Sequence, residues 1–118
     1  MQVYKILLFL KRRPGMSVAD FREYYENIHA PLCLKYSRGV SRYFRRYIDP
    51  LGNPAAGEVE EPAFDVITEL WFEDEAVFRA TVEYLSTSVM PDDVVEDEKK
   101  LLDRSKSRMA TVVECEFD

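Results

Sequence analysis

At 118 residues, the chain has room for one compact domain, residues 1–118, and too little length for a second independent core. Apolar residues make up 47% and charged residues 32%, with four Gly and six Pro, which excludes disordered, collagen-like and low-complexity classes. The net charge of −6 is uneven: residues 1–50 carry ten Lys/Arg against four Asp/Glu and residues 51–118 six against eighteen, so the halves stand at +6 and −12. The basic residues are scattered through strands and turns, which argues against nucleic-acid binding and for charge pairing within or between subunits.

The longest apolar run, Ile6–Leu10, falls far short of the ~20 residues a membrane-spanning helix needs. The N-terminus enters strand-like sequence without a secretory leader. A cytoplasmic protein without membrane contact is the expectation, with Cys33 and Cys115 as free, buried thiols.

Val3 to Lys11 (VYKILLFLK) reads as a first strand, closed by Arg13-Pro14-Gly15, its even positions Tyr4, Ile6, Leu8 and Leu10 facing helices. Ser17 caps a helix whose apolar positions are Val18, Phe21, Tyr25, Ile28 and Leu32. Pro31 predicts closure near Ile28 or His29, leaving His29 at a helix C-terminus. Ser41 to Asp49 is a second strand, and the Pro- and Gly-rich stretch from Pro50 to Ala63 is a mobile loop, lid or arm, the segment expected to be disordered.

Phe64 to Phe72 (FDVITELWF) is the clearest strand, with Phe64, Val66, Thr68, Leu70 and Phe72 on one face and Asp65, Ile67, Glu69 and Trp71 on the other. Asp74 caps a second helix through Leu85, a short acidic helix runs from Pro91 to Leu102, and Arg108 to Phe117 is a last strand. The order β-α-β-β-α-β is that of a ferredoxin-like α+β sandwich. Helices cover one face of such a sheet. The apolar Ile67 and Trp71 on the other predict a homodimer, two sheets packed face to face as a barrel.

His29 is the single histidine and the side chain whose unperturbed titration lies nearest neutrality. At helical spacing from Tyr25 and Glu26, and with a helix dipole favouring its charged form, it is the natural proton-transfer group; the competing role is an imidazole that completes the core. Tyr43 and Arg45 share a strand face by parity, and a phenol beside a guanidinium can hold a developing oxyanion; aromatic packing with a solvated arginine is the competing role. Asp65 and Glu69 stand about 13 Å apart on one strand, too far for a carboxylate pair, and are expected to meet arginines across a dimer. One histidine among scattered acids offers no metal site, and Arg13-Pro14-Gly15 holds no phosphate cradle. The chemistry left open is cofactor-free acid-base work.

The runs Phe9-Leu10-Lys11-Arg12-Arg13-Pro14-Gly15-Met16-Ser17, Phe21-Arg22-Glu23-Tyr24-Tyr25-Glu26-Asn27-Ile28-His29-Ala30-Pro31-Leu32 and Glu69-Leu70-Trp71-Phe72 resemble, in that order, the EthD family of dimeric α+β barrel proteins. The resemblance implies a protomer that dimerises through its sheet and encloses a small apolar pocket between sheet and helices. It also implies unlike roles: accessory proteins of an ether-degrading cytochrome P450 system, and fungal dehydratases of polyketide tailoring. Related barrel cyclases and monooxygenases act on polycyclic phenols without metal or flavin. Their pocket residues, a first-helix histidine and a second-strand residue, correspond to His29 and Tyr43, the latter replacing the arginine of a cyclase relative.

The expectation is a cofactor-independent acid-base enzyme (dehydratase, cyclase or oxygenase-like) acting on a small hydrophobic, aromatic or polyketide-like compound. His29 and Tyr43 are its catalytic candidates, and Leu8, Tyr25, Leu32, Val66 and Leu70 its ligand-binding ones. The alternative is a non-catalytic hydrophobe-binding or accessory protein, and a third possibility is a filled interior with no ligand.

Overall fold

A computed structural model describes residues 2–58 and 61–117 of the chain. It consists of β1 (Tyr4–Leu10), α1 (Val18–Tyr24), a π-helical turn (Tyr25–His29), α2 (Ala30–Leu34), β2 (Val40–Tyr47), β3 (Val66–Phe72), α3 (Glu75–Thr87), α4 (Asp92–Leu101), a 3-10 turn (Arg104–Lys106) and β4 (Arg108–Thr111). The strands form one antiparallel sheet in the order β2-β3-β1-β4, the ferredoxin-like arrangement of an α+β fold. Among the described residues no helix is long and apolar enough to cross a membrane.

Period-two alternation holds along Tyr4–Leu10 and Val66–Phe72. Ile6 and Leu10 of β1 and Val66, Thr68, Leu70 and Phe72 of β3 are buried on the helix side, and the register sets Ile6 opposite Leu70 and Leu10 opposite Val66. Both helix caps are as predicted: Ser17 Oγ accepts from the Asp20 amide at 3.0 Å, and Asp74 accepts from the Ala76 amide at 2.8 Å.

The core has two parts. One gathers Leu10, Phe21, Tyr25, Val66 and Leu101 under α1 and α4. The other gathers Ile6, Leu70 and Phe72 under α3, whose Val77, Phe78, Val82 and Leu85 are only half-buried. The end of α4 is tied to the exit of β1, the Arg13 amide donating to the Leu101 carbonyl and the Asp103 amide to the Lys11 carbonyl, both at 2.8 Å.

Several expectations need correction. The first helix does not close at Ile28 or His29. In a regular α-helix the Pro31 ring would press on the carbonyl four residues back; here an i→i+5 turn intervenes, the Ala30 amide bonding to the Tyr25 carbonyl, and the helix runs on to Leu34. Phe21, Tyr25, His29 and Ala30 are buried, while Val18 and Ile28, expected on the apolar stripe, are exposed.

Asp65 and Glu69 meet arginines of their own chain: Asp65 accepts from the Arg12 amide at 2.8 Å and from Arg12 Nε at 3.2 Å, and Glu69 accepts from Arg46 Nε at 2.6 Å. Lys5 likewise meets Glu114 at 2.8 Å and Lys11 meets Glu61 at 2.8 Å. The basic half and the acidic half therefore pair across neighbouring strands and loops. A bend at Asp65 starts β3 at Val66 and turns Phe64 to the other face, where its ring packs 5.4 Å from that of Phe9.

The last strand ends at Thr111, and Cys115 beyond it is exposed, while Cys33 is half-buried. Within the stretch from Pro50 to Ala63, the Asn53 side chain closes a turn by accepting from the Ala55 and Ala56 amides at 3.0 and 2.8 Å. Val59 and Glu60, at its centre, lie outside the described residues.

Candidate functional site

The π-helical turn sets Tyr25 and His29 on one face, ring centroids 5.1 Å apart, and both side chains are buried. Opposite them runs α4, in which Val94, Asp97 and Leu101 form the buried stripe. Asp97 Oδ2 lies 2.9 Å from His29 Nδ1, and Asp97 Oδ1 accepts from the Tyr24 hydroxyl at 2.5 Å. Each Asp97 oxygen thus holds one partner. The network assigns the hydrogen to Nδ1 and, in the neutral ring, leaves the lone pair on Nε2. Cys33 Sγ stands 3.4 Å from that nitrogen. Burial, followed by the charges of Glu98, Asp97 and Asp93, pushes the Cys33 thiol up to about 12, so it stays protonated and donates to Nε2. Burial and the bond to Asp97 likewise push the Tyr24 phenol up to about 12.

His29 and Cys33 border a cavity of about 1270 Å³, with Asp97 and Tyr24 behind the imidazole. Leu8, Leu10, Tyr43 and Leu70 of the sheet form its floor; Tyr25, His29 and Cys33 one wall; Val77, Thr81 and Leu85 of α3 the other; and Val94 and Glu98 of α4 close one side. An apolar chamber with a few convergent polar groups is the form of a small-molecule site. Tyr43 reaches the floor because β2 carries a bulge between Val40 and Arg42. Val40 pairs with Phe72 and Tyr43 with Leu70, so both face the helices although their numbers differ by an odd step. Burial raises the Tyr43 phenol well above its ordinary value, and the Tyr25 hydroxyl partly offsets this by hydrogen bonding. Tyr25 itself lies 2.5 Å from Thr68 Oγ1.

Five of the residues singled out from sequence, His29, Tyr43, Leu8, Tyr25 and Leu70, meet around this chamber. Val66 lies beneath it, fully buried in the core, and Leu32, half-buried, is carried off the wall by the π-helical turn. Arg45 does share the face of Tyr43, opposite Thr68, yet its guanidinium is held by Glu26 through two bonds of 2.8 Å. Tyr47 donates to the same carboxylate at 2.6 Å. These contacts, the arginine's first, lower Glu26 to about 2, and the pair is a structural clamp beside the site. His29 lies mid-helix, so the dipole argument for its charged form does not apply.

Sequence reading missed Tyr24, Asp97 and Glu98. The signal was present in α4: Val94, Asp97 and Leu101 are spaced as an apolar stripe with an acid at its middle, which a solvated acidic face does not require.

Comparison with known proteins agrees with this architecture. The EthD domain model matches residues 13–105. Over 103 residues, 83% of this chain and 72% of the relative, the sequence is 31% identical to the conidial pigment biosynthesis dehydratase EthD of Metarhizium robertsii. An ethyl tert-butyl ether d (EthD) family protein from Bacillus halodurans superposes with a TM-score of 0.54 at 23% identity, covering 98% of this chain and all of that one. An EthD-like protein from Ralstonia eutropha gives 0.55 at 16% identity over 95% and 87%; both share the fold. With a family model matching residues 13–105 and a relative 31% identical over 83% of this chain, the chain belongs to the EthD family.

Proposed function

We propose that the protein is a cofactor-independent dehydratase acting on a small hydrophobic, oxygenated compound of aromatic or polyketide type. His29 moves the proton and Tyr43 holds the oxyanion that develops on the substrate carbonyl. The observation that carries this reading is His29 at the wall of an apolar cavity, held from behind by buried Asp97, which half-buried Tyr24 bonds in turn. An imidazole anchored at Nδ1 presents Nε2 in one orientation, as general acid-base catalysis requires. Tyr43, kept neutral by its raised phenol, is suited to donate a hydrogen bond to an enolate. The dehydratase class is borrowed from the relative of M. robertsii.

The reading includes a homodimer formed through the outer sheet face. There Phe44 and Trp71 pack 5.0 Å apart among half-buried Leu7, Phe9 and Ile67, an aromatic and aliphatic surface on the side away from the helices over which Lys5, Arg42 and Arg46 lie.

The test is turnover of aromatic β-hydroxy ketones by purified protein. His29→Ala is expected to lower the rate about 10²- to 10⁴-fold and Tyr43→Phe about 10²-fold; wild-type rates in both variants would refute the site. One observation favours a second reading, a non-catalytic binder: the Cys33 thiol already occupies Nε2. Native mass spectrometry that finds a β-hydroxy ketone retained unchanged in the dimer would select it.

A further inference from the structure

We propose that Glu98 is the acid of this site, delivering a proton to the hydroxyl that leaves a β-hydroxy carbonyl compound while His29 takes the α-proton. The inference rests on the dehydratase reading and supplies its second proton carrier. Among the described residues that line the cavity, Glu98 is the one carboxyl. Asp97, its neighbour in α4, is consumed by His29 and Tyr24, and Glu26 is consumed by Arg45 and Tyr47. Successive residues of a helix point about 100° apart, so Asp97 serves the imidazole from behind while Glu98 fronts the chamber.

The competing role is an ion pair with Arg104, but that contact is one Nε–O distance of 3.3 Å, to an arginine that is itself exposed, and such pairs hold little free energy. Burial raises the Glu98 carboxyl above its ordinary range, outweighing the opposing pull of Arg104 and His29. That is the direction an acid donor needs.

The balance closes on these two residues. Once the substrate displaces the Cys33 thiol from His29 Nε2, that nitrogen accepts the α-proton, and the C–H pair becomes the new C=C bond. The C–O bond breaks, and the departing oxygen takes the Glu98 proton and leaves as water. Imidazolium and carboxylate remain, and transfer of one proton from Nε2 to Glu98 restores both. Tyr43 donates to the carbonyl oxygen throughout.

The experiment compares leaving groups. 3-Hydroxy-1-tetralone loses water to give 1-naphthol, whereas 3-acetoxy-1-tetralone loses acetate, which needs no protonation. Glu98→Gln is expected to slow the hydroxy probe by about 10²-fold and the acetoxy probe, measured above its spontaneous reaction, by less than about threefold. His29→Ala should lose both. Glu98→Gln at the wild-type rate on the hydroxy probe, or slowed equally on both, overturns the assignment of Glu98 and leaves the dehydratase reading standing. Wild-type protein inert toward both probes overturns that reading and this inference with it. Circular dichroism checks the fold of each variant; should Glu98→Gln unfold, Glu98→Asp, which keeps the acid but withdraws it, takes its place in the same comparison.

Discussion

The two helical layers above one sheet are built to different tightness. Under α1 and the π-helical turn, Phe21, Tyr25, Val66 and Leu101 are all essentially without exposed surface, and the Glu26–Arg45–Tyr47 clamp fastens the helix to β2. Above the other half, α3 buries no residue completely, and the cavity opens between it and the sheet. The proton-handling groups hang from the tight layer, and the loose layer supplies an apolar wall. A reacting group profits from rigid support, whereas a wall has only to exclude water and admit a ligand.

The contrast can be broken most sharply through stability. Phe21→Ala, in the tight layer, should cost about 3–5 kcal/mol, against roughly 1 kcal/mol for Val82→Ala in α3, both by denaturant unfolding. Equal losses would show that the layers are packed alike. Next comes Asp97→Asn, which keeps the shape but unsettles the imidazole. We expect kcat on 3-hydroxy-1-tetralone to fall on the order of 10²-fold with KM unchanged, since the apolar contacts remain; a change confined to KM would mean that Asp97 shapes the chamber rather than orients His29.

Gly39 tests where the layers meet. Its φ of +81° favours glycine, and an added Cβ would lie 2.6 Å from Val77 Cγ1 of α3. Gly39→Ala should therefore destabilise by about 1–3 kcal/mol and displace the α3 wall, weakening ligand affinity more than kcat. An unchanged melting temperature would place α3 farther from this turn.

The smallest effect concerns the clamp. Glu26 lies at about 2 in the folded protein against an ordinary 4.5. The folded state thus binds the proton less readily, and the clamp contributes fully above pH 4.5 and is lost as pH falls toward 2. With its carboxylate 39% exposed, solvent screening limits this to about 1 kcal/mol. Glu26→Gln should flatten that part of the stability–pH curve, and an unaltered slope would remove the clamp from the account of the tight layer.

Much of this was legible in the chain. Alternation in β1 and β3 carried both sheet faces, because period two on a half-buried strand has one reading, and Ser17 and Asp74 announced helix starts through chemistry local to a few residues. His29 and Tyr43 were legible as candidates by residue type and by resemblance. Asp97 was not, because its meaning depends on an imidazole 68 residues away. Nor were the partners of Asp65 and Glu69, which strand pairing and the β1 exit bring within their own chain.

Pro31 shows the dividing line. Local sterics forbid a regular α-helix through it and leave two outcomes, a stop or a widened turn. Burial of Tyr25, His29 and Ala30 against sheet and α4 selects the widened turn. The sequence by itself determined the strand faces, the caps and the supply of one imidazole, since these rest on periodicity and nearest-neighbour chemistry. Tertiary structure alone decided what that imidazole touches and where the chamber lies, because long-range contacts and the space helices leave unfilled have no local signature.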